Sequence, residues 1–330
     1  MIVVIADDFT GAAELGGIGL RHGLATEVCT VVPVRAEVDL LVIAADTRSK
    51  DVAAAVADML EITRRVRELG PELVYKKTDS VLRGHVVAEL KVHMEVLGFK
   101  QALLVPANPA LGRVVRDGHY FVNGVPVHET AFSTDPEFPV RSNDVREMLG
   151  EGFLESGIIV GEAQTMDDLR EWAGRVGPGM LLAGAAGFFS ALLGESRPVL
   201  HVSGTTYDKS RERIRQMKEV VYMPAFPDEA WVLEVIGLLR QREKVVVAIE
   251  DVAEGVTALE LRTNMAWAIG RVLAAVLVSE LIIEGGSTAF AILEQAGLHH
   301  FFPVAELGPG MIRMRAGNIY VTVKPGSYPI

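Results

Sequence analysis

Short apolar runs recur along the chain, each followed by a polar or glycine-containing turn and then by a segment of helical spacing. The first run, Ile2–Ile5, has no polar break and consists of β-branched residues, which is typical of a parallel strand buried on both faces. Similar runs occupy residues 101–105 and 199–202, and helical spacing marks residues 51–69 and 86–97. This alternation predicts an α/β fold with mainly parallel sheets flanked by helices.

A break in the alternation at residues 194–198 predicts a boundary between two domains. We expect domains at residues 1–196 and 197–330, each long enough to bury its own core. The binding loops should lie at the carboxyl ends of the strands, where ligands bind in open α/β sheets.

Composition narrows the partners and the compartment. The chain has 43 acidic and 32 basic residues, and this excess of negative charge argues against nucleic acid or an anionic membrane as the main partner. Cys29 is the only cysteine, so a disulfide framework is excluded and a reducing, cytoplasmic location is expected. The first apolar run is too short for a signal peptide, and the most hydrophobic helix, 266–278, is too short to span a membrane.

Two adjacent carboxylates, Asp7 and Asp8, follow the first predicted strand. The next residues open an apolar-periodic segment, for which we predict a helix with Thr10 as its N-cap. The position at a strand end favours a binding or catalytic role. The alternative is that the two acids only cap the helix and interact with its dipole.

A second polar cluster follows the strand predicted at 73–75, and a third follows the strand predicted at 40–45. We expect their cations to face the acids along one sheet edge, because a guanidinium suits a carboxylate and a carboxylate suits sugar hydroxyls. This pattern favours a small polyhydroxy acid as the ligand. The cations are Arg48, Lys76, Lys77 and Arg83, the acids are Asp7, Asp8 and Asp79, and Thr78 and Ser80 lie among them.

Glycine-containing loops follow the strands of the second half. Backbone amides at a helix N-terminus attract phosphate oxygens, and glycine allows close approach, so these loops favour a phosphate site; ordinary tight turns are the alternative. The residues concerned are Thr205, Gly285, Gly286, Ser287, Thr288, Gly308, Gly310, Lys324 and Gly326. No Walker A loop, dinucleotide fingerprint or zinc-binding pattern is present in the sequence. Together with the first domain, the loops predict phosphoryl transfer from a nucleotide to a hydroxy acid.

These residues resemble the four-carbon acid sugar kinase family, which includes D-threonate, D-erythronate and 3-oxo-tetronate kinases. The resemblance implies an amino-terminal acid-sugar-binding domain, a carboxyl-terminal ATP-binding domain and an active-site cleft between them. It assigns Asp8, Arg48 and residues 77–80 to the substrate, and Thr205, Gly285 and Gly326 to the nucleotide. The matching blocks are 6–12, 47–49, 77–84, 106–113, 118–120, 124–126, 135–136, 183–184, 204–205, 285–289 and 324–326.

The expected reaction is phosphorylation of a hydroxyl of the sugar acid by ATP with Mg²⁺, whose protein ligands the sequence does not identify. Asp8, or else Asp79, is expected to accept the hydroxyl proton, and Arg48 and Arg83 to lie near the substrate carboxylate. The expected partners are the sugar acid and ATP, and a homodimer is left open.

The sequence also departs from the family pattern, which leaves other functions open. The departures are at Val81, Thr205, Ser287 and residues 327–329. They motivate a second hypothesis, a catalytically silent sensor that binds a sugar acid. A third is an aldolase or lyase that uses Lys77.

Overall fold

The structure, a computed structural model, describes residues 1–177, 179–194, 196–205, 207–249 and 255–326. Residues 327–329, where the sequence departs from the family pattern, lie outside these ranges. The chain divides into two compact units, one of Met1–Leu20 with Leu24–Glu195 and one of Arg21–Gly23 with Ser196–Ile330. Within the described ranges, no helix is long and apolar enough to cross a membrane.

The first unit is built on a seven-stranded parallel sheet. Its elements are β1 (Ile2–Ala6), α1 (Phe9–Arg21), β2 (Thr26–Cys29), β3 (Leu40–Ala44), α2 (Val52–Glu68), β4 (Leu73–Lys77), α3 (Val86–Leu97), β5 (Gln101–Val105), β6 (Arg113–Arg116), β7 (His119–Val122), β8 (Val125–Pro126), α4 (Val145–Leu149), β9 (Ile158–Val160), α5 (Met166–Gly174), β10 (Met180–Gly184) and α6 (Ala186–Leu192).

The strand order of this sheet is β2-β3-β1-β4-β10-β5-β9. Residues Val3–Ala6 of β1 are fully buried, as expected for a central strand covered on both faces. Residues 113–126 form a separate three-stranded antiparallel sheet, β6-β7-β8. Its two turns, Asp117-Gly118 and Asn123-Gly124, have positive φ at both residues, which is the geometry of type I′ hairpin turns.

The second unit also contains a seven-stranded sheet. Its elements are β11 (Val199–Ser203), α7 (Asp208–Gln216), β12 (Val220–Met223), α8 (Glu229–Gln241), β13 (Lys244–Ile249), α9 (Ala258–Ala275), β14 (Glu280–Glu284), α10 (Gly286–Gln295), β15 (Phe302–Gly308), β16 (Met311–Ala316) and β17 (Ile319–Lys324). The order is β12-β13-β11-β14-β17-β16-β15, with β16 antiparallel to its neighbours. Both units therefore confirm the predicted α/β class with mainly parallel sheets.

Each sheet has one point where the connections diverge to opposite sides. In the first unit the chain leaves β1 towards β2 on one side and leaves β4 towards β5 on the other, and β1 and β4 are adjacent. In the second unit β11 and β14 stand in the same relation. Ligands of open α/β sheets bind at such switch points, outside the carboxyl ends of the strands.

Candidate functional site

Arg48 links the acids that follow β1 to the loop that follows β4. Its Nε donates to Oδ2 of Asp7 at 2.7 Å, and its Nη2 lies 3.1 Å from Oδ2 of Asp8 and 3.8 Å from Oδ1 of Asp79. The backbone N–H of Arg48 also donates to the carbonyl of Asp7. The structure thus brings together four of the residues predicted for the substrate, at the switch point of the first sheet.

The cap of α1 is Asp8, and the prediction of Thr10 as N-cap is wrong. Helix α1 begins at Phe9, and Oδ1 of Asp8 accepts a hydrogen bond from the N–H of Gly11 at 2.7 Å. The alternative role of the acids, capping of the helix, is therefore confirmed for Oδ1 of Asp8. The other oxygen, Oδ2, contacts Arg48, so Asp8 is both a cap and a member of the polar cluster.

Asp79 is held by the arginine four residues later. Its carboxylate accepts hydrogen bonds from Nε and Nη2 of Arg83, both at 2.9 Å, and from the N–H groups of Val81 and Arg83. Burial alone would raise the pKa of Asp79, but the hydrogen bonds and charge of Arg83 and the charge of Arg48 outweigh it and lower that pKa. Arg83 also donates to Asp135 through Nη1 at 2.7 Å.

Lys77 and Thr78 complete the carboxyl end of β4. The ammonium of Lys77 donates to the carbonyl of Thr78 at 3.0 Å and lies 3.7 Å from Glu14. Thr78 Oγ1 and Asp7 Oδ1 are buried, and neither has a hydrogen-bond partner in the described part of the chain. Because buried polar atoms normally have a partner, these two atoms mark the switch point as a place for a polar ligand or water.

Ser80 is fixed by two residues that the sequence analysis did not select. Tyr120 donates its hydroxyl proton to the carbonyl of Ser80, and Arg113 donates through Nη1 to the Ser80 hydroxyl. Arg113 belonged to a block shared with the family, but its position beside Ser80 depends on the fold of the loop after β5. Its side chain is only partly buried.

Lys76 does not face the acids, so that expectation is wrong. Successive residues of a strand point to opposite faces, and β4 continues through Lys77, which places Lys76 on the other side of the sheet. There its ammonium lies 2.7 Å from Oε2 of Glu89 on α3, and both side chains are almost fully buried. Thr47 donates to the other oxygen of Glu89 at 2.6 Å.

Three loops meet at the switch point of the second unit. The N–H of Gly204 donates to the carbonyl of Glu284, and the N–H of Gly285 to that of Lys324. A Cβ on Gly204 would lie 2.7 Å from Cβ of Thr288, and one on Gly326 would lie 2.7 Å from Cβ of Thr205. Only glycine allows such close approach, so these positions hold the loops after β11, β14 and β17 together.

Helix α10 presents free amides at this point. It begins at Gly286, has no side-chain cap, and no described residue accepts a hydrogen bond from the N–H groups of Gly286, Ser287 or Thr288. Unpaired amides and the positive end of the helix dipole form an anion site. The predicted phosphate residues Gly285, Gly286, Ser287 and Thr288 therefore occupy one position of suitable chemistry.

Charged groups lie directly beneath these loops. Glu284 is buried, accepts a hydrogen bond from Arg213 and lies 3.1 Å from Nε2 of His201. Burial opposes its ionisation, but the hydrogen bond and charge of His201 and the charges of Arg213 and Lys324 lower the pKa of Glu284. Burial, together with the charge of Arg213, lowers the pKa of Lys324. Arg213 and Glu284 were not selected from the sequence, although Glu284 directly precedes the glycine pair.

The loop of Gly308 and Gly310 lies apart from the other three. It joins β15 to β16, and it is at the same edge of the sheet because β15 runs parallel to β17. However, β16 separates β15 from β17, and the N–H of Gly310 bonds locally to Glu306. Thr205, Gly285, Lys324 and Gly326 are thus grouped, whereas Gly308 and Gly310 are at the side.

Several known proteins are similar to this chain in sequence. Residues 2–156 match the sequence model of a family described as a sugar-binding N-terminal domain. The chain is 33% identical over 253 residues to a D-threonate kinase of Salmonella typhimurium, covering 64% of this chain and 60% of that protein. It is 30% identical over 154 residues to a D-erythronate kinase of Heliobacterium modesticaldum, covering 45% of this chain and 35% of the relative.

Solved structures share the fold over nearly the whole chain. A protein from Bordetella bronchiseptica, described as a domain of unknown function with bound citrate and as a domain-swapped dimer, aligns with a TM-score of 0.56 at 24% identity. The alignment covers 99% of this chain and 95% of that one. A Haemophilus influenzae protein aligns with a TM-score of 0.55 at 20% identity, over 99% and 97% of the two chains. By sequence, the chain is similar to proteins named D-threonate, D-erythronate and 3-oxo-tetronate kinases, and it spans no more than about three fifths of the length of these relatives.

Proposed function

We propose that the protein is an ATP-dependent kinase that phosphorylates a hydroxyl of a four-carbon sugar acid of the threonate, erythronate or 3-oxo-tetronate type. The observation that carries the proposal is the different chemistry of the two switch points. The first holds carboxylates, cations and unpartnered polar atoms, which suit a polyhydroxy acid. The second holds glycine loops, free helix amides and cations, which suit phosphate groups.

In the first unit, the acids are proposed to bind the hydroxyl groups of the substrate. Asp7 offers the unpartnered Oδ1, Thr78 offers its hydroxyl, and Arg48 and Arg83 fix the carboxylates in position. Lys77 supplies positive charge at the end of β4. Charge neutralisation and positioning of this kind supply most of the catalysis in phosphoryl transfer.

Asp8 is the proposed acceptor of the hydroxyl proton. As the substrate oxygen bonds to the terminal phosphorus and the bond to the leaving ADP oxygen breaks, the proton passes to Asp8. Asp79 is a weaker candidate because its carboxylate is bound by Arg83 on both oxygens and its pKa is lowered. Asp8 has one oxygen facing Arg48 and is partly exposed.

In the second unit, the first turn of α10 and Thr205, Gly285 and Gly326 are proposed to bind the phosphates of ATP. Lys324 and Arg213 lie next to them and would offset the negative charge. Apart from its neighbours in the chain, no described atom lies within 4 Å of the Cβ position of Gly286, so a ligand has room beside the backbone at the start of α10. Mg²⁺ is proposed to enter with the nucleotide, since it is usually held largely by substrate phosphates and water.

The test is an ADP-release assay with ATP, Mg²⁺ and a panel of four-carbon sugar acids. Asp8→Asn should lower kcat by about 10²- to 10⁴-fold, as expected for loss of a general base. It should leave the fold intact, because asparagine is as good an N-cap as aspartate. Asp228→Asn is the matched control, since Asp228 caps α8 through an equivalent bond to Trp231 at 2.9 Å.

Full activity of Asp8→Asn would remove Asp8 from the mechanism. A protein that binds a sugar acid in calorimetry but releases no ADP with any member of the panel would instead be the sensor. Trapping of the substrate on Lys77 by borohydride would indicate lyase chemistry.

We also propose that the protein forms a homodimer and is located in the cytoplasm. One structural relative is described as a domain-swapped dimer, which motivates the first of these. Light scattering coupled to size-exclusion chromatography measures the oligomeric state, and a monomeric mass at micromolar concentration would contradict it.

A further inference from the structure

The two arginines that the sequence offered for the substrate carboxylate are already paired with acids. Arg48 contacts both Asp7 and Asp8. Arg83 contacts Asp79 through two nitrogens and a second acid, Asp135, through the third. A substrate carboxylate placed at either guanidinium would approach aspartates of like charge, which is unfavourable at short range.

Arg113 differs from these two arginines. None of the described carboxylates forms an ion pair with it, and its contacts are the hydroxyl of Ser80 and the ring of Phe132, whose centroid lies 5.5 Å from the guanidinium carbon. The bond to Ser80 uses Nη1, which leaves donors of the planar fork for a ligand. Within the described ranges, no carboxylate thus lies within ion-pair distance of its guanidinium.

The backbone of Arg113 is held firmly, so its side chain starts from a fixed point. Its N–H donates to the carbonyl of Asn108 at 3.1 Å, and the N–H of Asn108 donates back at 2.7 Å. Asn108 lies in the loop directly after β5, at the carboxyl edge of the first sheet. This pairing anchors the start of β6 to the loop that follows β5, and from there the side chain reaches Ser80 in the loop that follows β4.

Arg113 also adjoins the polar cluster. Ser80 follows Asp79 in the chain, and Arg83 lies on the same ring of Phe132, with its guanidinium carbon 5.4 Å from the centroid. The ring of Phe132 thus contacts both Arg83, which is paired with two acids, and Arg113, which forms no ion pair with a described acid. The remaining donors of Arg113 thus lie beside Ser80, in the loop that also carries Asp79.

We propose that Arg113 binds the carboxylate of the sugar acid and so selects acids over the corresponding neutral sugars. The proposal rests on the proposed function of the first unit. A guanidinium and a carboxylate form a charge-assisted, frequently bidentate pair, whereas a sugar alcohol offers no partner for the charge. Arg48 and Arg83 then serve to hold the aspartates that receive the hydroxyl groups.

The test compares Arg113→Gln with Arg116→Gln by calorimetry. Arg116 is an exposed arginine of the same strand that lies over Phe121, so the control removes the same charge from the same hairpin. The ligands are the four-carbon sugar acids and the tetritols, which are their neutral counterparts. Direct binding requires no turnover, so the result does not depend on kinase activity.

Arg113→Gln should raise the Kd for the sugar acid by roughly 10- to 150-fold, the range for loss of a hydrogen bond to a charged group. It should leave the weak binding of tetritols, and the Kd for ATP, within about twofold of wild type. Arg113→Lys, which keeps the charge but not the fork, should fall between the two. Arg116→Gln should match wild type.

Equal loss of acid and tetritol binding in Arg113→Gln would show a purely structural role and overturn the proposal. So would an unchanged Kd for the acid. If Arg113→Gln does not fold, Arg113→Lys decides, since wild-type affinity for the acid in that variant would refute recognition by a guanidinium fork. Wild-type protein that binds acids but shows no ADP release would overturn the proposed kinase activity and leave Arg113 as the acid-binding residue.

Discussion

The ion pair between Lys76 and Glu89 offers a quantitative test of how the first sheet is held together. The side chains are 1% and 2% exposed, and the ammonium and carboxylate are 2.7 Å apart. In Lys76→Met, the buried carboxylate of Glu89 keeps the Thr47 hydroxyl as its one partner among the described residues. Loss of one member of a buried pair should therefore cost about 3–5 kcal/mol of unfolding free energy.

Replacement of both partners should cost much less. The double variant Lys76→Met with Glu89→Leu contains no buried charge, and apolar substitutes for a buried pair are often neutral or stabilising. What remains is the Thr47 hydroxyl without its acceptor, a cost of about 1–3 kcal/mol. If each single variant loses about 3–5 kcal/mol, the double variant should recover at least about 3 kcal/mol of their sum.

Amide hydrogen exchange at β1 and β4 under native conditions measures this free energy for the first unit, without interference from the second. The control is Lys50→Met, because Lys50 forms an ion pair with Asp58 at 2.5 Å in which both side chains are about 40% exposed. An exposed pair should contribute only about 0–1 kcal/mol. Additive losses in the double variant would refute the reasoning, since they would mean that the two charges do not depend on each other.

Three further predictions concern the second unit and the response to pH. Gly204→Ala would place a Cβ 2.7 Å from Cβ of Thr288, so the Kd for ATP should rise at least tenfold by calorimetry while sugar-acid binding is unchanged; Gly237→Ala, in α8 with nothing within 4 Å, is the control. Because the pKa of Asp79 is lowered in the fold, its stabilisation is present above about pH 3.9 and lost as the pH falls through the native pKa, so urea unfolding of Asp79→Asn should depend less steeply on pH below about 4. Burial, and then the charge of Lys76, lowers the pKa of His93. The free energy of unfolding of the wild type should therefore fall by up to about 1.4 kcal/mol per pH unit below about pH 6.5, and that of His93→Gln should fall less. For both Asp79 and His93, equal pH slopes in variant and wild type would contradict the prediction.

The sequence predicted well those features that depend on neighbouring residues. The fold class followed from apolar runs and helical spacing, and the acids Asp7 and Asp8 and residues 78–80 were correctly placed after strands. The adjacency of β1 and β4, which brings these two loops together, is a long-range pairing with no local signal. It was inferred only from the general rule that ligands bind at one edge of such sheets.

The two errors have local physical causes. The fourth strand was ended at Tyr75, so residues 76 and 77 were treated as loop and the alternation of strand faces was not applied to them; β4 in fact ends at Lys77. The cap was assigned to Thr10 because aspartate and threonine are both good N-caps, but the helix begins at Phe9, two residues before the start at Gly11 that a cap at Thr10 implies. Boundaries of this kind differ by one or two residues, which is enough to turn Lys76 from a ligand contact into a core ion pair.

The first four strands of each unit have the same order, with the first strand beside the fourth and the third on its other side. The same two loops, after the first and fourth strands, therefore meet in both units, and the position of the two sites follows from topology. The chemistry does not follow from topology, because it differs between the units. In the first unit these loops carry Asp8 and Asp79, which accept hydrogen bonds. In the second, the loop after the fourth strand leads into Gly286, Ser287 and Thr288, whose N–H groups have no acceptor among the described residues. A loop that accepts hydrogen bonds suits hydroxyl groups and a loop that donates them suits phosphate, so the residues at strand ends, and not the fold, distinguish a sugar site from a nucleotide site.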